Sequence, residues 1–148
     1  MELRHDMLNH GVNVVCAQHE ETRAGLAVAW ATQLTTDRVL ICVGKQSATR
    51  DVILDSGAFG LSVLREDQIE LARLFGTQSS RDVDKFEHLD WHTAETGSPL
   101  MDDCAAALDC TVDTVFELNS QKLIVGRVVH VEHVQRTHAP LIYRQEDY

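Results

Sequence analysis

Short alternating apolar stretches recur along the whole chain, and only two stretches with a helical pattern interrupt them. Residues 12–17 place Val12, Val14 and Cys16 on one side of an extended segment. Residues 24–30 alternate as well: Leu26, Val28 and Trp30 face one way, Ala27 and Ala29 the other. Residues 39–43 form a continuous apolar run, the pattern of a strand buried on both faces. Phe59, Leu61 and Val63 mark one face of a strand over 59–64. Two longer strands follow, 107–118 and 122–135, separated by the hairpin-sized turn Asn119-Ser120-Gln121. The segment 139–143 reads as a short edge strand, because Pro140 lacks the N–H that an interior strand needs. Many strands at short spacing with few helices predict a mostly β fold, a small barrel.

The helical stretches are short. The first starts at Ser47-Ala48-Thr49 and stops at Gly57, a hydroxyl cap at one end and a glycine at the other. The second spans 67–75, with Ile69, Ala72 and Phe75 on one face, Asp67 placed to cap it and Gly76 at the position after its end. Residues 77–99 are polar and loop-rich. No internal repeat or linker divides the 148 residues, so one domain over 1–148 is expected.

Composition narrows the function. Aromatic residues make up only 5%, so the core must be aliphatic. The net charge of −10 argues against nucleic acid and against an anionic membrane surface as partners, since both need a basic face. It leaves an anionic small ligand open, because a basic pocket can sit inside an acidic protein. No apolar run reaches the ~18–20 residues of a membrane helix. Residues 1–10 carry charges and no apolar signal region, so a cytoplasmic location is expected. In that compartment Cys16, Cys42, Cys104 and Cys110, none in a CxxC pair, read as buried reduced thiols.

Most candidate chemistry falls away. His88 and His92 are four apart, but in loop-like sequence with no third ligand nearby, and His130 and His133 point to opposite faces of one strand, so no metal site is expected. There is no GxSxG, GxGxxG or GxxxxGK[ST]. The stretch Lys45-Gln46-Ser47-Ala48-Thr49-Arg50 is more specific. A buried strand feeds directly into a helix N-terminus, with two hydroxyls at the cap and two cations flanking them. Free N–H groups and the positive end of the helix dipole bind phosphate well. Plain helix capping would use the same residues. The bare Ala27/Ala29 face favours the ligand, since a flat ring could lie against that backbone.

In this order and spacing the residues resemble the flavin reductase-like family, whose members share the FMN-binding split barrel. The likeness runs through residues 11–15, 24–33, 45–49 with Ile53 and Phe59, 71–76, Asp84-Lys85-Phe86, 97–100, 108–110, 125–128 and 140–143. It implies a split β-barrel of antiparallel strands that binds FMN, or alternatively FAD, non-covalently near the interface of a homodimer. Residues 27–33, among them Ala27, Val28, Ala29, Trp30 and Gln33, would run along the isoalloxazine and ribityl chain. Lys45, Ser47 and Thr49 would hold the phosphate with support from Arg50, while Arg81, Asp84, Lys85 and Phe86 would border the site. Lys85 and Phe86 read equally well as a loop ion and a core anchor.

Three departures stand out. Thr36-Asp37-Arg38 replaces a usual Pro-Pro, Ala27 or Ala29 replaces a ring-lining hydroxyl residue, and Asn119-Ser120-Gln121-Lys122 replaces a usual Gly-Asp-His. The activity implied is an oxidoreductase that takes hydride from NADH or NADPH, with no catalytic acid or base to name. The alternatives are an FMN electron carrier serving a redox protein, and a barrel that binds another ligand such as haem, with His130 or His133 as axial ligand.

Overall fold

The computed structural model describes residues 1–133 and 139–148. Seven strands form one antiparallel sheet in the order β2-β1-β5-β8-β9-β4-β3. β1 (Asn13–His19) turns tightly at Glu20, whose φ is 54°, into β2 (Thr22–Val28). β3 (Ala31–Gln33) pairs with β4 (Arg38–Gly44), and β5 (Ala58–Val63) pairs with both β1 and β8. β6 (Trp91–His92) and β7 (Leu100–Met101) make a separate small ladder. β8 (Ala106–Leu118) and β9 (Gln121–His133) form the long hairpin at the centre of the sheet. Its turn is Asn119-Ser120, with Asn119 at φ 51°, so Gln121 already belongs to β9. The end of the second long strand predicted over 122–135 lies outside the described residues.

The sheet has to curl. β2 and β3 sit at its opposite edges, yet only Ala29 and Trp30 join them. Two residues span roughly 7 Å, so the edges are drawn together. The Trp30 carbonyl accepts the Cys42 N–H at 2.9 Å, but no ladder joins β2 to β4. The barrel is therefore split along this seam, and the alternation expected over 24–30 ends at Val28, where the chain crosses.

Alternation sorts the core into two layers. Inside the barrel, Val15, Ala17, Val28, Ile41, Phe59 and Ile124 pack together. Outside, Val12, Val14 and Cys16 lie with Ala72, Phe75 and Leu100, beneath α2 (Ile69–Thr77). Packing is close enough to demand glycine: a Cβ on Gly126 would meet Phe59 Cζ at 2.5 Å, and one on Gly60 the Pro99 carbonyl oxygen at 2.3 Å.

α1 (Ala48–Ser56) is capped as predicted by Ser47, whose Oγ accepts the Arg50 N–H at 3.4 Å, and ends at Gly57 with φ 71°. Four expectations are corrected. β4 is buried on one face only: Val39, Ile41 and Val43 are inside, while Leu40 and Cys42 are half-exposed, because the other face borders the seam. Gly76 is inside the last turn of α2 rather than after it; a Cβ there would press on the Tyr148 ring at 3.2 Å. Asp67 does not cap α2 but accepts from Arg65 in the short 3-10 turn Glu66–Gln68 that precedes the helix. Residues 139–143 contribute two isolated bridges, Arg65 to Pro140 and Gly11 to Ile142, not a strand. All four thiols are free; Cys16, Cys104 and Cys110 are buried, and Cys42 is half-buried. Among the described residues no helix is long and apolar enough to cross a membrane.

Candidate functional site

A cleft follows the seam. It consists of two adjoining cavities of about 320 Å³ each, which share Leu26, Ala27 and Gly76 as walls. The first is mainly apolar. Its floor is the end of β2 and the crossover, Leu26 to Trp30, with Cys42 and Gly44 across the seam. Small side chains at Ala27 and Ala29 bring that floor close to bare backbone. Its cover comes from the chain ends, through His5, Tyr143 and Tyr148.

The cover is tied down at several points. Trp30 Nε1 donates to the His5 carbonyl at 3.2 Å, and their rings meet edge-on at 5.3 Å. Tyr143 and Tyr148 lie 5.4 Å apart with planes tilted by 30°. Arg4 pairs with Glu146 at 3.0 Å, and the Gln145 N–H donates to Asp6 at 2.9 Å. Burial raises the Cys42 thiol pKa, so this half-buried sulfur stays neutral near pH 7.

The second cavity is polar. Gln46, Ser47, Ala48 and Thr49 from the start of α1 face Ser79, Ser80 and Arg81. The helix start leaves its first N–H groups free of intrahelical partners and gives that end a partial positive charge. Arg81 Nη1 donates to the Gln46 carbonyl at 3.2 Å and so pins the loop before the helix. Lys85 closes the back of the cavity. Its Nζ donates to the Gly25 carbonyl at 2.8 Å and the Phe75 carbonyl at 3.1 Å. It is only 3% exposed, and desolvation lowers its pKa to about 8.

The structure thus brings Ala27, Val28, Ala29, Trp30, Ser47, Thr49, Arg81 and Lys85 to one continuous cleft. Five other expected residues do not line it. Lys45 is exposed on the strand-to-helix loop, its backbone N–H held by Ser120. Arg50 points its guanidinium at Asp51, 2.8 Å away. Gln33 lies on the other side of the crossover, in a separate cavity of about 450 Å³ with Thr32, Arg38 and Val39. Phe86 is buried edge-on against Phe75 and Trp91, and Asp84 accepts its backbone N–H at 3.0 Å.

Among the described residues no group of three or more His, Cys, Asp or Glu is placed to hold an ion. His92 bridges Asp102 and Glu132, and His130 contacts Glu132 at 3.2 Å. The side chain of His133 lies outside the description.

Sequence reasoning missed His5, Cys42, Gly76, Tyr143 and Tyr148 as cleft walls. Ser79 and Ser80 carried a faint signal, a hydroxyl pair beside Arg81 in a loop. The others had none, because nothing local marks contacts between segments distant in sequence.

The geometry defines a split-barrel protein with a cleft suited to a flat ring and an anionic tail. A family model for the flavin reductase like domain matches residues 4–148, and the chain belongs to that family. The reductase subunit HsaB of a flavin-dependent monooxygenase from Mycobacterium tuberculosis is 32% identical over 141 residues, covering 93% of this chain and 74% of that protein. The NADH:FAD oxidoreductase of Streptomyces globisporus C-1027 has a similar structure, with TM-score 0.84 and 26% identity over 92% of this chain and 82% of its own. The FMN-binding protein of Thermus thermophilus, solved with p-hydroxybenzaldehyde, has TM-score 0.91 at 22% identity over 100% of this chain and 89% of its own, a likeness of fold.

Proposed function

We propose that this chain binds a flavin nucleotide, FMN or alternatively FAD, along the seam and passes reducing equivalents from NADH or NADPH to flavin or a downstream acceptor. The observation that carries this reading is the two-part cleft, apolar over bare backbone at one end and a capped helix N-terminus at the other. Two cavities of about 320 Å³ lie within the range of small-ligand sites. A larger side chain at Ala27, Ala29 or Gly76 would fill the space a ring needs. The named activities of the monooxygenase reductase subunit and the NADH:FAD oxidoreductase support the same reading.

The bound flavin supplies the hydride- and electron-accepting chemistry. The protein binds and orients. Ala27 to Trp30 present backbone and small side chains to the ring, and His5, Tyr143 and Tyr148 shield it from water. Ser47, Thr49, the first N–H groups of α1 and Arg81 hold the phosphate. No side chain in the cleft needs to act as acid or base for hydride transfer.

We further infer that residues 1–148 work as one domain within a homodimer. The cavity containing Gln33 continues along an apolar sheet face, with Leu61, Val63, Leu108, Val128 and Val131, that a second copy would cover. The four free thiols suit a reducing, cytoplasmic setting.

Titrating FMN and FAD into the purified chain, then adding NADH or NADPH without oxygen, tests the activity. Bleaching of the visible flavin band supports the reductase. A flavin that binds but stays oxidised would reduce the function to an electron carrier, and no binding would sink both. Sedimentation of the wild type and of Val131→Glu tests the dimer.

A further inference from the structure

Lys85 is not an ordinary loop cation. It lies behind the polar cavity and also borders a fourth, smaller one of about 290 Å³ lined by Arg23, Asp82 and Asp84. An ammonium has three N–H donors. Two of them bridge the Gly25 carbonyl of β2 and the Phe75 carbonyl near the end of α2. Those two elements also form the shared wall of the cleft, through Leu26, Ala27 and Gly76. Ser80 completes the junction, its hydroxyl accepting from the Gly25 N–H and donating to the Gly25 carbonyl, both at 3.2 Å. The protonation state of Lys85 therefore bears both on the charge at the polar end and on how firmly the wall is held, because the two bonds are charge-assisted only in the ammonium.

We infer that Lys85 is a proton-coupled positioning residue: binding of a phosphate-bearing ligand in the polar cavity draws a proton onto its amine, and the ammonium then locks β2 against α2. This rests on the proposed flavin site and goes beyond it, since it makes binding a proton-uptake reaction.

The surroundings suit such coupling. Burial already disfavours the charged form, so an empty site leaves the amine partly neutral at mildly alkaline pH. A dianionic phosphate nearby favours the ammonium again. From β1, the neutral Cys16 thiol faces Lys85, its pKa pushed far up by burial. From α2, the Phe75 ring lies 5.4 Å from Nζ. Arg23 is held over the Trp91 ring at 4.2 Å. Arg81 borders the polar cavity, and Glu21, Asp82 and Asp84 line the fourth cavity beside it.

Calorimetric titration with FMN at about pH 8.5, in buffers of different ionisation enthalpy, counts the protons. The phosphate's second ionisation, near 6, is complete there. With the Lys85 pKa at about 8, wild type should take up about three-quarters of a proton per FMN, falling towards zero as the pH approaches 6.5. Riboflavin, which has the ring without the phosphate, should bind with little uptake. Lys85→Arg, always cationic, should bind FMN without uptake. Lys85→Met should bind FMN at least about tenfold more weakly, with riboflavin affected less.

FMN binding by wild type without proton uptake would overturn the inference alone. So would uptake that persists in Lys85→Arg or is equal for riboflavin. Failure of FMN to bind at any pH would overturn the flavin site itself. The wild-type count stands independently of whether either variant folds.

Discussion

The two ends of the cleft are built by opposite means. At the apolar end the chain withholds side chains: Ala27, Ala29, Gly44 and Gly76 leave space, and the walls are backbone and aromatic rings brought in from the chain ends. At the polar end it supplies groups: Ser47, Thr49, Ser80, Arg81 and Lys85 crowd a helix start and the loop facing it. One end selects by shape, which any flat ring satisfies. The other selects by charge and hydrogen bonding, which depends on the tail. Substitutions at the two ends should therefore separate ring affinity from phosphate affinity.

The largest effect is expected at the polar end. Thr49→Val with Arg81→Ala removes a buried hydroxyl and a cation, and hydrogen bonds to a charged group contribute roughly 1.5–3 kcal/mol each. FMN affinity should fall about a hundredfold while riboflavin affinity barely changes, as fluorescence titration would report. Equal losses for both ligands would show that the ends do not act separately.

Ala27→Leu comes next. It fills the shared wall beside Gly76, where the two Cβ positions would be 3.5 Å apart. Riboflavin and FMN should both lose about tenfold, the scale of roughly 1.5 kcal/mol for a steric mismatch in a packed site. Selective loss of FMN alone would contradict the assignment of the ring to this end.

A control away from both ends is the His92 contact. Asp102 and Glu132 raise its pKa chiefly by hydrogen bonding to the charged ring, Glu132 most. A pKa raised in the folded state means the stabilisation is fully present below the unfolded value of about 6.5 and is lost as pH rises through the folded value. His92→Gln should remove that loss, seen as a flatter profile of Tm against pH. The effect should be under about 1 kcal/mol because the pair is partly exposed. Ligand affinity should not move.

The smallest effect is expected for Lys45→Ala. The residue lies outside the cleft walls, so FMN affinity should change less than about threefold, the scale of a screened surface charge. A large loss would mean that the loop closes onto the ligand and brings Lys45 to it.

The polar end was the more legible of the two from sequence. A cap such as Ser47 acts on an N–H three residues away, and the Gly57 stop depends on one dihedral, so both leave local marks. The same local view overcounted: Lys45 and Arg50 flank the cap in sequence, but only tertiary contacts decide that Arg50 turns to Asp51. Lys85 shows the converse. Its residue type announces a surface cation, and its burial follows from carbonyl oxygens on β2 and α2 that no local pattern joins to it. The cover was illegible for the same reason, since Arg4 and Glu146 meet across nearly the whole chain.

The sequence by itself determined the six longer strands, the two short helices, the capped start of α1 and the bare Ala27/Ala29 stretch, because periodicity, capping and side-chain size act within a few residues. Only the tertiary structure decided where the barrel splits and what closes over the seam. Those depend on a two-residue crossover that draws opposite sheet edges together, and on contacts between distant chain ends that place a ring site and a phosphate site in one cleft.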